Sequence, residues 1–331
     1  MRRILVLVAL VLAGLAVLLL SWPQVLGAQR LIGVAQLIAF RALLAIGLGA
    51  LALLAGVVAL LGSRRRGRPE PVLSLGLAVL LALGAILNCA VLMARGSSSG
   101  AAQGDLVVMA WNAQGGATSP ATIARVAAES GADVVSLPET DEEAAAEVAR
   151  LLSERGIVMT PHTVRAEGAY DWIPTSVLIA DDVGAYDLDT SAGSTPGLPS
   201  GLWRRTAGTG PEAIVAAHPM PPLPDSMDGW EAGLRWVAEV CRSSGPDVVI
   251  AGDFNATVDH MTDLMDDCGD AALEAGGAAS GTWPADAPSW ISSPIDHVLL
   301  GSAWTAKGVR VLDGDPGGSD HRPIVAVLGR Q

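Results

Sequence analysis

The chain has 331 residues, half of them hydrophobic, and a formal net charge of −13. So apolar a composition excludes a single ordinary soluble domain, and so acidic a balance argues against a protein that tracks a nucleic-acid backbone. The charge is also uneven: the first 100 residues hold nine Arg and one acidic residue, Glu70, which leaves 12 basic and 33 acidic residues to the rest, a formal +8 against −21.

Residues 1–95 read as a membrane anchor with three transmembrane helices. The apolar runs 4–20, 42–61 and 72–93 carry no charge, and each is near the ~17 to 25 residues that a helix needs to cross the hydrocarbon core. Residues 31–40 are apolar too, but Arg41 cuts them off from the second run, so they read as an interfacial lead-in or part of a tilted span. A cleaved signal peptide competes for the first run, with Arg2 and Arg3 as its basic start; the long apolar region and the lack of a clean small-x-small site weigh against it. Arg2 and Arg3, and then Arg64, Arg65, Arg66 and Arg68 between the second and third runs, are expected on the cytoplasmic side. Three spans then carry everything after Arg95 to the outer face of the cytoplasmic membrane, although Arg30, Arg41 and Arg95 run against the bias.

Residues 96–104, with a Ser-Ser-Ser-Gly run, read as a flexible linker, and 105–331 as one large domain. Short β-branched runs at 105–112, 133–139, 175–180, 213–219, 247–255, 295–300, 306–312 and 322–328 predict strands. Ala-rich stretches at 119–130, 141–154 and 227–243 predict helices. Alternation of this kind is mixed α/β, and runs apolar on both faces suit strands buried inside a sandwich with helices outside. Cys89 lies within the third span, whereas Cys241 and Cys268 form an even pair in a domain expected to face an oxidising compartment. A disulfide is the expectation for that pair; two buried thiols are the alternative.

Polar residues recur where these strands end. Asn112 closes the first, Glu139 the second, His218 the run at 213–219, and Asp253 the run at 247–255; Asp296 opens the run at 295–300, and Asp320 and His321 precede the last. Singly, each has a plain reading as a turn former, a cap or a satisfied edge residue. Together they can be gathered around one mouth. In IAGDFNAT, residues 250–257, Asp253 and Asn255 stand two apart, the spacing that places side chains on one face of a strand. His297, next to Asp296, faces the other way and reads as structural.

In WNAQGG, SLPET, His218 before a proline, AGDFNAT, PIDHVLL and GSDHRPIVA, the chain resembles the endonuclease/exonuclease/phosphatase superfamily (DNase I-like) from about Asp105 onward. Membrane-anchored bacterial members with three N-terminal spans look most similar. The resemblance implies a four-layer α/β sandwich and a hydrolase of phosphoric esters that uses Mg²⁺ or Mn²⁺. It implies that Glu139 is the principal metal ligand, with Asn112 and Asp320 contributing. It further implies that Asp253 aligns or deprotonates the attacking water, Asn255 binds a phosphoryl oxygen, His321 contacts the phosphate, Asp296 fixes the tautomer of His321, and His218 lies near the phosphate and leaving group. Whether Asp253 or the Asp296 and His321 pair is the base stays open. Gln114 stands where some nucleases of the family carry an acidic residue, which bears on a second metal site, and Pro138 replaces the common Gln before Glu139.

The domain has one lysine, Lys307, and no basic run, so nucleic acid is the less favoured substrate and an extracytoplasmic nuclease the alternative. A tethered domain meets membrane-borne substrates at high effective concentration, which points to a lipid-linked phosphate, pyrophosphate or phosphodiester. The expected partners are therefore the bilayer and that substrate, with no protein partner. A catalytically inactive phospho-ligand binding module is the alternative of another class, and it would be marked by loss of Glu139, Asp253 or His321. Trp172, Trp203, Trp283 and Trp290 are candidates for a lipid-facing rim or for packing, and Arg204 or Arg205 for a phosphate contact.

Overall fold

A computed structural model of the full chain describes residues 1–63, 70–97, 100, 103–166, 173–312 and 317–331. Arg64, Arg65, Arg66, Arg68, Trp172 and part of the expected linker lie outside the described residues. Two compact units are formed, Met1–Ala94 and Arg95–Gln331.

The first unit contains α1 (Arg2–Ser21), the short α2 (Val34–Ile38), α3 (Arg41–Ser63) and all but the last residue of α4 (Glu70–Arg95). Arg3–Ser21, Arg41–Gly62 and Val72–Arg95 are long and apolar enough to cross a membrane, with mean hydropathies of 3.1, 2.6 and 2.5. Arg41 does not continue the preceding apolar run. It heads α3, is buried, and donates from its guanidinium to Asn88 Oδ1 at 2.6 Å and to the Ser21 carbonyl at 3.2 Å. Asn88 in turn donates to Ser21 Oγ at 3.1 Å and to the Gly84 carbonyl at 2.9 Å. This knot joins α1, α3 and α4 and supplies the partners that make a buried guanidinium tolerable there.

In the second unit, two six-stranded sheets stack face to face. One has the order β11 (Trp304–Val311), β12 (Ile324–Arg330), β1 (Leu106–Ala110), β2 (Val134–Pro138), β4 (Thr175–Ala180), β3 (Met159–Val164). The other has the order β5 (Gly184–Leu188), β6 (Gly201–Gly208), β7 (Ala213–Ala217), β8 (Val248–Asp253), β10 (Asp296–Leu300), β9 (Gly269–Asp270). Helices α5 (Pro120–Ser130), α6 (Glu142–Ser153), α7 (Met227–Ser243), and the short α8 (Val258–Met261) and α9 (Ala271–Ala275) complete the unit. Helices α5 and α6 begin where their sequences supply a cap: Ser119 accepts from the Thr122 N–H ahead of Pro120, and Asp141 accepts from the Ala144 N–H. Trp230, Leu234, Val237 and Cys241 recur at helical spacing on α7 and are all buried. Cys241 is disulfide-bonded to Cys268, with a Cα–Cα distance of 6.0 Å.

Register decides where the site lies. β1 runs parallel to β2, and β7 parallel to β8, so two pairs of C-terminal ends come out on one side. β12 pairs antiparallel with β1, and β10 antiparallel with β8, which brings the N-terminal ends of β12 and β10 to that same side. Between the sheets, Ser136 Oγ in β2 donates to the Ala251 carbonyl in β8 at 2.8 Å, fixing one sheet's position on the other. Glycine is required just before Asp253, because a Cβ on Gly252 would lie 2.0 Å from the Ala217 carbonyl oxygen of β7.

Candidate active site

Six strand ends deliver seven polar side chains to one mouth. Asn112 follows β1, Glu139 follows β2, His218 follows β7, Asp253 ends β8, Asp296 opens β10, and Asp320 and His321 precede β12. Asp253 Oδ2 is the hub: Asn112 Nδ2 donates to it at 3.1 Å, His321 Nε2 lies 3.7 Å away and His218 Nε2 4.0 Å away. Asn112 Nδ2 also donates to Glu139 Oε1 at 3.0 Å, and that oxygen lies 4.0 Å from His218 Nε2. On the far side of His321, Nδ1 meets Asp296 Oδ2 at 2.9 Å.

Asn112 accepts the Gln114 N–H on Oδ1 at 2.9 Å while Nδ2 donates to the two carboxylates, so it brackets Glu139 and Asp253. The acceptor duty of Oδ1 fixes which way the amide points. Asn255 was expected on the strand face of Asp253, but β8 stops at Asp253 and Asn255 is left-handed, with φ 49°. Its N–H donates to Asp253 Oδ1 at 2.8 Å and its amide to the Pro219 carbonyl at 3.1 Å. The spacing of two thus makes a side-chain-to-backbone turn, and that turn rather than a strand face keeps the two residues together. Glu139, Gln114 and Asn255 are the non-glycine residues with positive φ among the described residues, and all three sit at this mouth. Such conformations cost on the order of 1 to 3 kcal/mol each and persist where the surroundings enforce them.

Electrostatics separate the groups by role. Burial drives the His218 imidazole down to about 4, so it is neutral at physiological pH, and its Nδ1 is buried without a hydrogen-bond partner. His321 goes the other way: burial opposes its charge, yet Asp296 and Asp253 outweigh that and push it up to about 10. Burial raises Asp253, against the pull of His321. Burial also raises Glu139, the Asn112 amide lowers it, and the charge of Asp253 raises it further.

Sequence reasoning missed the supports. Ser319 Oγ donates to the Asn112 carbonyl at 2.7 Å and accepts the His321 N–H at 3.0 Å, tying β1 to the loop before β12. Trp111 Nε1 donates to the His321 carbonyl at 2.9 Å, and Ser200 Oγ accepts the His218 N–H at 2.8 Å. Trp283 is half-buried, and its indole N–H donates to Asp320 Oδ2 at 2.9 Å. Arg204 and Arg205 lie away from the site, near the start of β7: Arg204 pairs with Asp189 at 2.9 Å and Arg205 donates to the Gly210 carbonyl. His297 is a strut, with Nδ1 2.6 Å from Asp270 and Nε2 2.8 Å from the Ala256 carbonyl. A serine two residues from His321 carries no sequence signal that separates it from any loop serine.

Asp253, Asp296 and His321 offer ligand atoms within 4.8 Å of one another. His321 Nδ1 is committed to Asp296 and its ring is held charged, so this trio is better matched to proton handling than to a hard cation. Glu139 and Asp320 are the partly exposed carboxylates at the mouth, 26% and 41% accessible, and their mutual repulsion is what a divalent cation would relieve. The residues present therefore fit such an ion.

A family model described as the Endonuclease/Exonuclease/phosphatase family matches residues 109–321. The chain belongs to that family. Its members are phosphoesterases that generally depend on a divalent metal. Among solved structures, an endonuclease/exonuclease/phosphatase from Beutenbergia cavernae is 20% identical with a TM-score of 0.54, over 69% of this chain and 72% of that one. D. rerio TDP2 complexed with single strand DNA product is 17% identical with a TM-score of 0.51, over 68% and 98%. The mannosyl-6-phosphatase Bt3783 of Bacteroides thetaiotaomicron is 14% identical with a TM-score of 0.50, over 68% and 99%. At such identities these structures share the fold, a two-sheet α/β sandwich. No curated protein matches the chain.

Proposed function

We propose that this protein is a membrane-anchored, divalent-metal-dependent phosphohydrolase that acts on the outer face of the cytoplasmic membrane on a lipid-linked phosphate, pyrophosphate or phosphodiester. The observation that carries the chemistry is the convergence of Asp253, His321, Asp296, Glu139 and Asn112 from both sheets within hydrogen-bonding or ion-pair reach. Glu139 with Asp320 would hold Mg²⁺ or Mn²⁺, which when bound neutralises phosphoryl charge and favours ionisation of a nearby water.

Asp253, with its raised carboxyl group, is the better base: its Oδ2 faces the mouth, and Asn112 orients it. His321 is held protonated by Asp296 and serves as the charged donor to a phosphoryl oxygen or leaving group. Neutral His218, with Nε2 aimed between Glu139 and Asp253, can donate to the same phosphoryl group without adding a charge.

The lipid-linked class is supported by three helices fit to span a membrane and by a domain at a formal −21. The outward placement is supported by the arginine pattern and by the Cys241–Cys268 bond, which suits an oxidising compartment. The test is a panel of isoprenyl phosphates and pyrophosphates, phospholipids, and single- and double-stranded DNA, given to the purified full-length protein with Mg²⁺ or Mn²⁺. Turnover of the lipid phosphates is the expected result. Ready DNA cleavage with no lipid turnover would instead identify a nuclease.

A further inference from the structure

Arg95 is the first residue of the second unit, and it is built into the support of the catalytic loop. Its guanidinium grips Asp259 with both nitrogens, Nη1 to Oδ2 at 2.8 Å and Nη2 to Oδ1 at 2.7 Å, with both side chains largely shielded from solvent. Asp259 lies in α8, six residues after Asp253. The segment between is short and tightly held: Asn255 turns back on Asp253, the Ala256 carbonyl accepts from His297, and the Thr257 N–H donates to His260 Nδ1 at 2.8 Å. The ring of His260 stands edge-on to the buried Trp230.

Arg95 and its neighbours also reach the other side of the site. The Arg95 carbonyl accepts the Ala278 N–H at 3.2 Å, and the Gly96 carbonyl accepts the Ala279 N–H at 2.8 Å. The approach is so close that a Cβ on Gly96, whose φ is +66°, would lie 2.1 Å from the Gly276 carbonyl oxygen. Three residues after Ala279 stands Thr282, whose Oγ1 accepts the Asp296 N–H at 3.3 Å.

We propose that Arg95 is a positioning residue for hydrolysis: through Asp259 it fixes α8, and with it the placement of Asp253 and Asn255. Removing the guanidinium leaves the Asp259 carboxylate buried without its bidentate partner immediately behind the loop, and water drawn toward that charge loosens α8. Displacement of Asp253 by a fraction of an ångström changes the geometry of attack more than the binding of substrate.

The inference rests on the hydrolase reading above, and the experiment separates the two. Full-length wild type, R95Q, R95K and D259N are reconstituted in nanodiscs and given bis(p-nitrophenyl) phosphate and p-nitrophenyl phosphate with Mg²⁺. Hydrogen exchange over residues 253–261 is followed in parallel. R95Q and D259N are expected to lose roughly 10- to 100-fold in kcat with KM within about twofold, and R95K to fall between them and wild type. Exchange should quicken in 253–261 and stay unchanged in the strands of the core. An unchanged kcat in R95Q, or exchange that rises evenly across the whole unit, overturns the role. If wild type turns over neither ester, the hydrolase reading is what fails, and exchange alone decides: unchanged protection of 253–261 in R95Q and R95K sinks the positioning role, and faster exchange confined to that segment upholds it.

Discussion

Asn112 and Asp253 close β1 and β8 in the same way and meet across the gap between the sheets. Each accepts, on a side-chain oxygen, the N–H of the residue two positions on, Gln114 at 2.9 Å and Asn255 at 2.8 Å, and each of those residues is left-handed. The two then contact each other, Asn112 Nδ2 donating to Asp253 Oδ2 at 3.1 Å. One device thus fixes the backbone at both strand ends and sets the distance between them.

Asn112→Ala should therefore lower kcat by about 10²-fold, since Glu139 and Asp253 lose the amide that brackets them. Asn112→Asp should be worse, because it sets a third carboxylate against two whose charges are already disfavoured. Steady-state kinetics beside circular dichroism checks both, with folding expected to survive.

Asp296→Asn tests the role of the His321 pair. The amide cannot hold the imidazole charged, so kcat should fall by about 10²- to 10⁴-fold. The double variant Asp296→Asn, His321→Gln should be little worse than either single change, because the two residues act as a unit. Additive losses in the double variant would mean that they act separately.

His218 predicts an acid limb in stability. Its folded value of about 4 lies below its ordinary 6.5, so between those values the unfolded chain binds a proton that the folded chain refuses. Stability therefore falls as pH drops from about 6.5 toward 4, by on the order of 3 kcal/mol, and this contribution is flat above 6.5. Thermal unfolding of the metal-stripped protein across pH should show that slope in wild type and lose it in His218→Gln.

Cys241 and Cys268 close a loop of 27 residues between α7 and the strand β9. Cys268→Ser, or reduction, should cost about 3 kcal/mol, read as a lower unfolding midpoint in denaturant. An identical midpoint with and without reductant would show that the bond contributes nothing.

The strands legible in the sequence were the buried β1, β2, β4, β7, β8, β10 and β12 and, among the edge strands, β11 with its Val309 and Val311, together with the amphipathic helices, whose bounds differ from expectation by at most one residue at either end. β3, β5, β6 and β9 left no such signal. Three of these are edge strands and β6 is next to one, so they carry Pro161, Asp187, Arg204 and Arg205 where an inner strand would carry apolar side chains. The acids and imidazoles of the site were legible because each ends a recognisable strand. The supports were not: Ser319, Ser200, Trp283 and Arg95 gain their meaning from partners up to 207 residues away, as Ser319 shows against Asn112. Orientation was also beyond spacing alone, since Asn255 shares the site with Asp253 by a left-handed turn and not by strand alternation.

The central claim is that these converged side chains hydrolyse a phosphoric ester with a bound cation. It is tested most directly by phosphate release or diester cleavage from the purified full-length protein with Mg²⁺, after chelation, and in Glu139→Ala and His321→Ala. Turnover that stops in chelator, returns with the metal, and falls by orders of magnitude in both folded variants is the predicted result. Turnover that persists in chelator or survives in both variants would contradict it.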